Sequence, residues 1–499
     1  MNPHTPIASK GAASAPREAR EFWLFTQDHR RLAALHAVLA GLALVAGAFL
    51  GFGLAIHPLS AGSSGTAPEV FRRMYSMHGL VMVFLVALPA LPTVLGNWML
   101  PGMLGIERMA LPRLNLLAFQ ILLGSALFFL VALLFAPLDS GWNFELPFSL
   151  ASGANLVWCI VAIAGAVVAQ ACSSANLLAT IFAGRRADGS RPARPFLAWA
   201  LAASSLVQIL SAPVLLGALI VLYAQGAGAA DVLGSRPAGD VRFAEWFWLW
   251  GHPAFSAMLL AALGVVGTVV LEHQSAKREA SGVAVASLFA IAVLSFAGWG
   301  VHLLGRGTNA ADAAGASALA LLTGLPFALI VLEWLLALSG GRTRAGAALA
   351  YALCFVVLLC VGGMAGAFLA LLPSGAYLVN TCFASAQFHY LVVGGTLVAL
   401  LSGLYHGWSR WFGVEVRQGW AVFGCFLLFC GVNLAFLPQF VLGYLGTPRR
   451  SAELVEGAGN LPLYSAIGSG LVVVALAIAA WNLLSSLLDR PSTGGKTAP

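Results

Sequence analysis

The chain has 499 residues, of which 60% are hydrophobic and only 9% are charged. A water-soluble domain carries about 25% charged residues, so this composition excludes a soluble protein and predicts one that crosses a membrane many times. The net charge of +7 does not indicate nucleic-acid binding, because the basic residues are scattered among short loops instead of clustering in a stripe with aromatic residues.

Twelve apolar runs follow one another along the chain, separated by more polar loops. Each is long enough, at about 1.5 Å per helical residue, to cross the hydrocarbon core of a bilayer. We therefore predict an all-α polytopic membrane protein with twelve transmembrane helices. The runs cover residues 32–56, 79–100, 114–137, 154–183, 196–224, 246–271, 283–304, 315–338, 346–372, 382–404, 418–442 and 463–488.

The positive charges predict how these helices are oriented. With the amino terminus inside, nineteen of the 26 Lys and Arg residues fall in inner loops and tails and seven in outer loops, as the positive-inside rule requires. Residues 1–31 are polar and basic without a cleavage site, which indicates a cytoplasmic tail. We expect residues 32–488 to form the membrane domain and residues 489–499 a disordered tail, with both termini on the cytoplasmic side of a bacterial inner membrane.

Four histidines fall at one predicted depth, near the outer ends of the second, sixth, seventh and tenth runs. They are His78, His252, His302 and His389. An imidazole inside lipid loses its hydrogen bonds to water, so it normally faces the protein interior and pairs with a polar group, a metal or a haem iron. The shared depth favours one cofactor site, although four unrelated core histidines could coincide in depth.

The tenth run carries a second polar residue, Gln387, two positions before His389. Because two residues on an α-helix are separated by roughly 200°, these side chains point to opposite sides and serve two separate pockets. Glu333 in the eighth run is predicted to be buried. Its role stays open between a neutral, hydrogen-bonded acid and a group that faces a cavity between helices.

Several different short motifs follow one another between about Phe22 and Leu488. They are Met77-His78-Gly79, Gly96-Asn97-Trp98-Met99-Leu100-Pro101, Ser140-Gly141-Trp142, Phe247-Trp248-Leu249-Trp250-Gly251-His252-Pro253, Phe388-His389-Tyr390, Gly431-Val432-Asn433-Leu434 and Thr447-Pro448-Arg449-Arg450. Their order and spacing resemble subunit I of the haem–copper oxygen reductases, the catalytic subunit of cytochrome c oxidase. The resemblance implies a haem–copper oxidase subunit I-like bundle of twelve helices.

The resemblance also implies a low-spin haem whose iron is bound by His78 and His389. Two axial imidazoles leave the iron no open position, which suits electron transfer. Arg449 and Arg450 match the arginine pair that meets the haem propionates in the family, and a guanidinium fork suits a carboxylate. The alternative for this pair is an ordinary solvated loop.

The family's oxygen-reducing site is incomplete in this sequence. Gln387 occupies the position of the high-spin haem ligand, and an amide is a poor iron ligand beside imidazole. Of three copper ligands, His252 and His302 remain while Val301 replaces the third, so copper binding stays in doubt. Ser256 stands where the family has a tyrosine that supplies an electron and a proton. We expect the pocket facing Gln387 either to lack a high-spin haem or to hold one without a histidine ligand on that side. If the pocket holds no haem, apolar side chains should close it.

The proton pathways and the outer magnesium site depart from the family as well. The acidic residue at the mouth of one pathway is Arg108, and the glutamate found beyond the first copper ligand in many members is Ala254. Val379 and Asn380 replace the magnesium-binding His-Asp pair. The eighth run lacks the lysine of the second pathway, because the chain has only Lys10, Lys277 and Lys496.

These departures argue against catalysis by this chain but leave several functions open. The favoured one is a subunit with one low-spin haem that transfers electrons within a respiratory complex, beside other subunits and with cytochrome c or quinol as donor. A second is a non-redox scaffold or assembly partner of a true oxidase. A third is an active but unusual terminal oxidase or nitric oxide reductase, and a transporter-like use of the bundle comes last.

Overall fold

The structure is a computed structural model that describes residues 22–60, 68–144, 146, 148–151, 154–228, 238–274, 279–304, 309–339, 345–451 and 453–489. The predictions for the two tails concern mainly residues 1–21 and 490–499, which lie outside this described part.

Within the described residues, twelve helices are long and apolar enough to span a membrane, which confirms the predicted fold class. They are α1 (His29–Leu59), α2 (Pro68–Leu104), α3 (Pro112–Phe135), α4 (Asn155–Ala183), α5 (Phe196–Gly226), α6 (Arg242–Glu272), α7 (Gly282–Leu303), α8 (Ala310–Ser339), α9 (Ala347–Ala370), α10 (Cys382–Phe412), α11 (Gln418–Tyr444) and α12 (Leu461–Leu488). Shorter helical pieces are Trp23–Phe25, Phe148–Ala151 and Leu372–Leu378.

Three helices form the centre of the bundle, and the others surround them. In the most apolar 18-residue window, 89% of α2, 94% of α6 and 72% of α10 is buried, against 17% of α1 and 28% of α8 and α12. These central helices carry His78, His252 and His389. The histidines therefore lie inside the protein and away from lipid, as their cost in hydrocarbon requires.

Two of the central helices widen directly after their histidine. The turns Met82–Ala87 in α2 and Val392–Leu397 in α10 are π-helical, a distortion that is often found at functional sites. In α10 the widened turn contains Gly394 and Gly395, where an added Cβ would come within 2.7 Å of Leu358 and 2.9 Å of Leu259. Glycine thus lets the widened helix pack closely against α9 and α6.

At the opposite end of the bundle, a charged cluster joins α6 to α10. The Glu272 carboxylate on α6 lies 3.1 Å from Nε2 of His406 and 3.3 Å from the guanidinium of Arg410, both on α10. Partly exposed pairs of this kind contribute little energy, so the cluster links these ends of α6 and α10 without determining how the two helices pack.

Glu333 is less buried than predicted, but it is hydrogen-bonded, as one of the two expected alternatives has it. Its side chain is half-buried, and it reaches the start of α7, where one carboxylate oxygen accepts a 3.0 Å hydrogen bond from the backbone N–H of Ser281. The Ser281 hydroxyl donates to the other carboxylate oxygen and accepts from the backbone N–H of Ala284 at 3.1 Å. Glu333 therefore helps to cap a helix, because the first N–H groups of α7 need acceptors.

Close packing of α11 against α12 depends on small residues. A Cβ added at Gly468 would lie 2.1 Å from the backbone nitrogen of Ala435, and one added at Gly431 would lie 2.8 Å from that of Val472. Such contacts bring two backbones together, which is a main source of helix association in lipid.

We predict that Gly468→Ala destabilises the protein, because the new methyl group meets backbone atoms that cannot move aside. Overpacking of this kind costs about 1–3 kcal/mol. Gly470→Ala on the same helix is the matched control, since its Cβ would meet only a Phe52 ring atom at an ordinary 3.6 Å. Thermal unfolding in detergent, followed by circular dichroism, should show a lower Tm for Gly468→Ala alone. Equal Tm values would contradict the packing argument.

Candidate functional site

A cavity of about 910 Å³ runs through the half of the bundle that holds the four histidines. His78 and His389 line one part of it, and His252 and His302 line another. The structure thus brings together the four histidines that the sequence places at one depth, but as two separate pairs. This volume lies in the upper part of the usual range for small-molecule and cofactor sites, about 300–1,000 Å³.

The first pair consists of two imidazoles that face each other across the cavity. The ring centres of His78 and His389 are 6.0 Å apart, and their planes differ by 17°. Nδ1 of His78 donates to the Gly47 carbonyl at 2.8 Å, and Nδ1 of His389 donates to the Ser385 carbonyl at 2.7 Å. Because a carbonyl can only accept, both Nδ1 atoms carry the proton, and both Nε2 atoms keep a free lone pair.

Neighbouring residues fix these two rings in place. A Cβ at Gly51 on α1 would come within 2.9 Å of the His78 ring, so only glycine gives the ring this position. Phe436 on α11 stacks on His389 with ring centres 4.5 Å apart. The next residue in α10, Tyr390, is fully buried and donates a 2.9 Å hydrogen bond to the Asn433 side chain of α11. The rotation of α10 is therefore set on both sides of His389.

A tryptophan from the α3–α4 connection separates the two pairs. Gly141, with φ of +92°, turns the chain inward, and its N–H donates to the Ser76 hydroxyl on α2 at 2.8 Å. Trp142 then lies against Gly79, where an added Cβ would come within 2.7 Å of the indole. Its ring is stacked with Phe388, at 5.7 Å and 18°. The Ser-Gly-Trp motif thus places an aromatic wall beside the first pair.

The second pair is closer than the first. Nδ1 of His252 lies 3.1 Å from Nε2 of His302, which fits a direct hydrogen bond, and Trp248 stacks on His302 with ring centres 3.8 Å apart. Nε2 of His252 is buried without a hydrogen-bond partner and faces α7 at Gly298. Val301 also lines the cavity. Among the described residues, no group of three or more His, Cys, Asp or Glu could hold a metal ion.

Comparison with known proteins decides the family. The family model for "Cytochrome C and Quinol oxidase polypeptide I" matches residues 31–489. The chain belongs to this family. It is 28% identical to cytochrome c oxidase subunit 1 of Synechocystis over 490 residues, which cover 97% of this chain and 88% of the relative.

Other members of the oxidase family are similar over comparable lengths. Quinol oxidase subunit 1 of Bacillus subtilis is 24% identical over 471 residues, which cover 93% of this chain and 72% of the relative. A heme-copper terminal oxidase dimer solved by cryo-EM superimposes with a TM-score of 0.79 at 16% identity, covering 94% of this chain and 85% of that one. The structural likeness shows that the oxidase fold is retained.

The part of the cavity beside Gln387 is open in this oxidase-family chain, so apolar side chains do not close it, contrary to the expectation for a pocket without haem. Gln387 lines the cavity, as do Gly324 on α8 and Gly363 on α9, where an added Cβ would meet no atom within 4 Å. The Gln387 amide lies against Gly366 of α9, on the side of α10 away from His78, as the 200° spacing predicts. Gly324 and Gly363 are both exposed, so they lie where this part of the cavity opens to the outside. We call the part bounded by α6 to α9 and Gln387 the Gln387 lobe.

The predicted arginine pair follows a loop that is tied to the start of α10. The backbone N–H of Arg449 donates to the Asn380 carbonyl at 3.1 Å, and that of Cys382 donates to the Thr447 carbonyl at 2.9 Å. Arg449 lines the cavity. The Arg450 guanidinium instead donates to the Asp139 carbonyl at 3.3 Å and lies over the Phe148 ring. The loop thus holds one arginine at the cavity and the other against the α3–α4 connection.

The structure also reveals buried polar residues that the sequence analysis missed. Asn115 on α3 donates to the Asn97 side chain on α2 at 2.7 Å, while Asn176 and Gln170 on α4 each bury an amide nitrogen without a partner. The signal was present as a polar stripe on α4 at helical spacing, formed by Gln170, Ser173, Ser174 and Thr180. None of these groups titrates near neutral pH. Arg108, which the sequence places at the mouth of one proton pathway, lies exposed in the loop after α2.

We predict that Tyr390 and Asn433 act as one unit in fixing α10. Tyr390→Phe leaves the Asn433 oxygen without its donor, and Asn433→Leu removes the acceptor, so each single variant should be destabilised. In a double-mutant cycle the coupling free energy should be about 1 kcal/mol. Unfolding in detergent measures all four proteins. Simple additivity of the two single effects would show that the hydrogen bond does not set the position of α10.

Proposed function

We propose that this chain is an oxidase-family subunit that binds one low-spin haem between His78 and His389 and transfers electrons within a respiratory membrane complex. The observation that carries the proposal is the facing imidazole pair. Two metal–nitrogen bonds of about 2 Å each, together with the distance from each nitrogen to its ring centre, span about 6 Å, close to the observed 6.0 Å separation.

The hydrogen bonds of this pair support the same conclusion. Each Nδ1–H is held by a backbone carbonyl, which fixes the ring orientation and leaves Nε2 as the ligand, the usual arrangement for a metal-binding histidine. A haem iron with two axial imidazoles has no open coordination position and exchanges electrons without binding oxygen. Arg449 and Arg450 are proposed to pair with the haem propionates at the outer ends of α10 and α11; Arg449 lines the cavity, whereas Arg450 would have to leave the Asp139 carbonyl.

We further propose that the oxygen-reducing centre has been lost. Gln387, Val301 and Ser256 replace the haem ligand, a copper ligand and the tyrosine that the family resemblance implies. His252 and His302 are hydrogen-bonded to each other, so one nitrogen of each ring is paired without copper, while Nε2 of His252 has no hydrogen-bond partner among the described residues. Arg108 and Ala254 interrupt proton delivery, because a fixed cation opposes proton entry and a methyl group cannot carry a proton.

The partners follow from this role. We propose that the chain lies in a bacterial cytoplasmic membrane with both termini inside, next to other respiratory subunits and membrane lipid, and accepts electrons from cytochrome c or a quinol. A second candidate, an unusual oxygen or nitric oxide reductase, is favoured by one observation. The Gln387 lobe is open beside the close His252–His302 pair, which would leave space for a small substrate.

We predict that His78→Ala and His389→Ala each abolish the low-spin bands of the reduced-minus-oxidised spectrum, because one axial imidazole is removed. His252→Ala is the matched control: it removes a buried imidazole from a central helix but should leave the bands unchanged. Circular dichroism confirms that each variant is folded. If the wild-type protein shows no haem bands, the proposal fails and the scaffold role gains support.

We also predict that vesicles containing the purified protein and a reduced donor neither consume oxygen nor acidify. The missing ligands leave no open metal for oxygen, and the interrupted pathways leave no acid–base chain across hydrocarbon. An oxygen electrode and an entrapped pH dye measure the two rates. Robust cyanide-sensitive consumption would instead establish the second candidate.

A further inference from the structure

The Gln387 lobe combines an open volume with a polar side chain that lines it. Gln387 is half-buried, and no described residue is hydrogen-bonded to its amide. A ligand that fills the lobe displaces water from this amide, and an amide that loses water without a new partner costs about 1–3 kcal/mol. The ligand is therefore expected to pair with the amide.

The charges around the cavity restrict what this ligand can be. Among the described residues that line it, Arg449 is the only one with a permanent charge, and it lies on the α11–α12 loop, whereas α6 to α9, which bound the lobe, contribute no charged side chain to the lining. A charged head group would be unpaired beside Gln387, where charge is expensive. A second haem would also need an iron ligand that an amide supplies poorly. The ligand for the Gln387 lobe is therefore neutral.

The walls of the lobe indicate the shape of the ligand. Phe255 and Phe388 meet edge to face at 4.7 Å, and both line the cavity with Trp248 and Phe327. Such walls accommodate a flat ring. The lobe also opens toward lipid between α8 and α9, because Leu321, Leu332 and Met364 line the cavity and yet are 40%, 51% and 67% exposed. An apolar tail can leave through this seam into the bilayer.

From these observations we infer that the Gln387 lobe binds an isoprenoid quinone from the membrane. A quinone has a neutral flat ring, carbonyl groups and a long apolar tail. The Gln387 amide has N–H donors and a carbonyl acceptor, so it can donate to a quinone carbonyl and accept from a quinol hydroxyl. Both redox forms are thus recognised by one side chain, whereas an inserted lipid acyl chain would leave the amide unpaired.

The lobe also lies next to the first histidine pair. Phe388 precedes His389 in α10, and their ring centres are 6.2 Å apart. A quinone ring in the lobe is therefore close enough to exchange electrons with a centre at His389. Only this redox role rests on the proposed haem-binding function; the binding of the quinone does not depend on it.

The test uses the full chain in detergent and titrates it with decylubiquinone, a short-chain benzoquinone, by calorimetry. Gly324→Leu and Gly363→Leu place side chains into the lobe without meeting backbone atoms. Each should weaken saturable binding by about tenfold or more, and Gln387→Leu by about tenfold through loss of its hydrogen bond. The matched control is Gly217→Leu on α5, whose Cβ position is equally open but lies outside the cavity; it should bind like the wild type.

The haem spectrum, recorded on the same samples, separates this inference from the proposed function. Unchanged low-spin bands with weakened quinone binding support both. Quinone binding without haem bands overturns only the haem proposal. Absence of saturable binding to the wild type, equal binding by Gly363→Leu, or two haems per chain would overturn the quinone site.

Discussion

Two hydrogen bonds between a ring nitrogen and a backbone carbonyl determine the geometry of the site. His78 is held by Gly47 of α1, and His389 is held by Ser385 one turn earlier in α10. Inside a membrane protein, burying an imidazole N–H without an acceptor costs free energy, so these bonds keep both rings from rotating. The other nitrogen of each ring keeps a free lone pair, which supports the proposed role of both rings as haem ligands.

Glycines make this arrangement possible, and they act in two ways. Gly51 and Gly79 give the His78 ring and the Trp142 indole room that any Cβ would occupy. Gly324 and Gly363 have no such neighbours and instead lie exposed where the cavity opens beside Gln387. The first kind supports a precise contact, whereas the second kind keeps that opening free. A cavity wall that contains both kinds of glycine can therefore hold closely packed rings in one part and leave open volume in another.

The two parts of the cavity illustrate how an inherited fold can be reused. The family fold extends over nearly the whole chain, and the proposed haem pair His78–His389 lies within it. On the opposite side of α10, where the family resemblance implies an iron ligand, Gln387 offers hydrogen bonds instead, and the space beside it is open. The proposed haem and quinone sites therefore share one helix and are separated by Phe388 and Trp142.

The sequence by itself determined the twelve helices, because a segment in lipid must satisfy its backbone hydrogen bonds internally, and a local run of apolar residues is enough to reveal it. It also placed Gln387 and His389 on opposite sides of α10, since the angle between residues two positions apart on a helix is a local property. Only the tertiary structure decided that the Gln387 lobe is open and that Glu333 caps α7. Both depend on side chains from other helices, such as Gly363 and Ser281, and the distances between residues far apart in the chain are set by packing and not by local pattern.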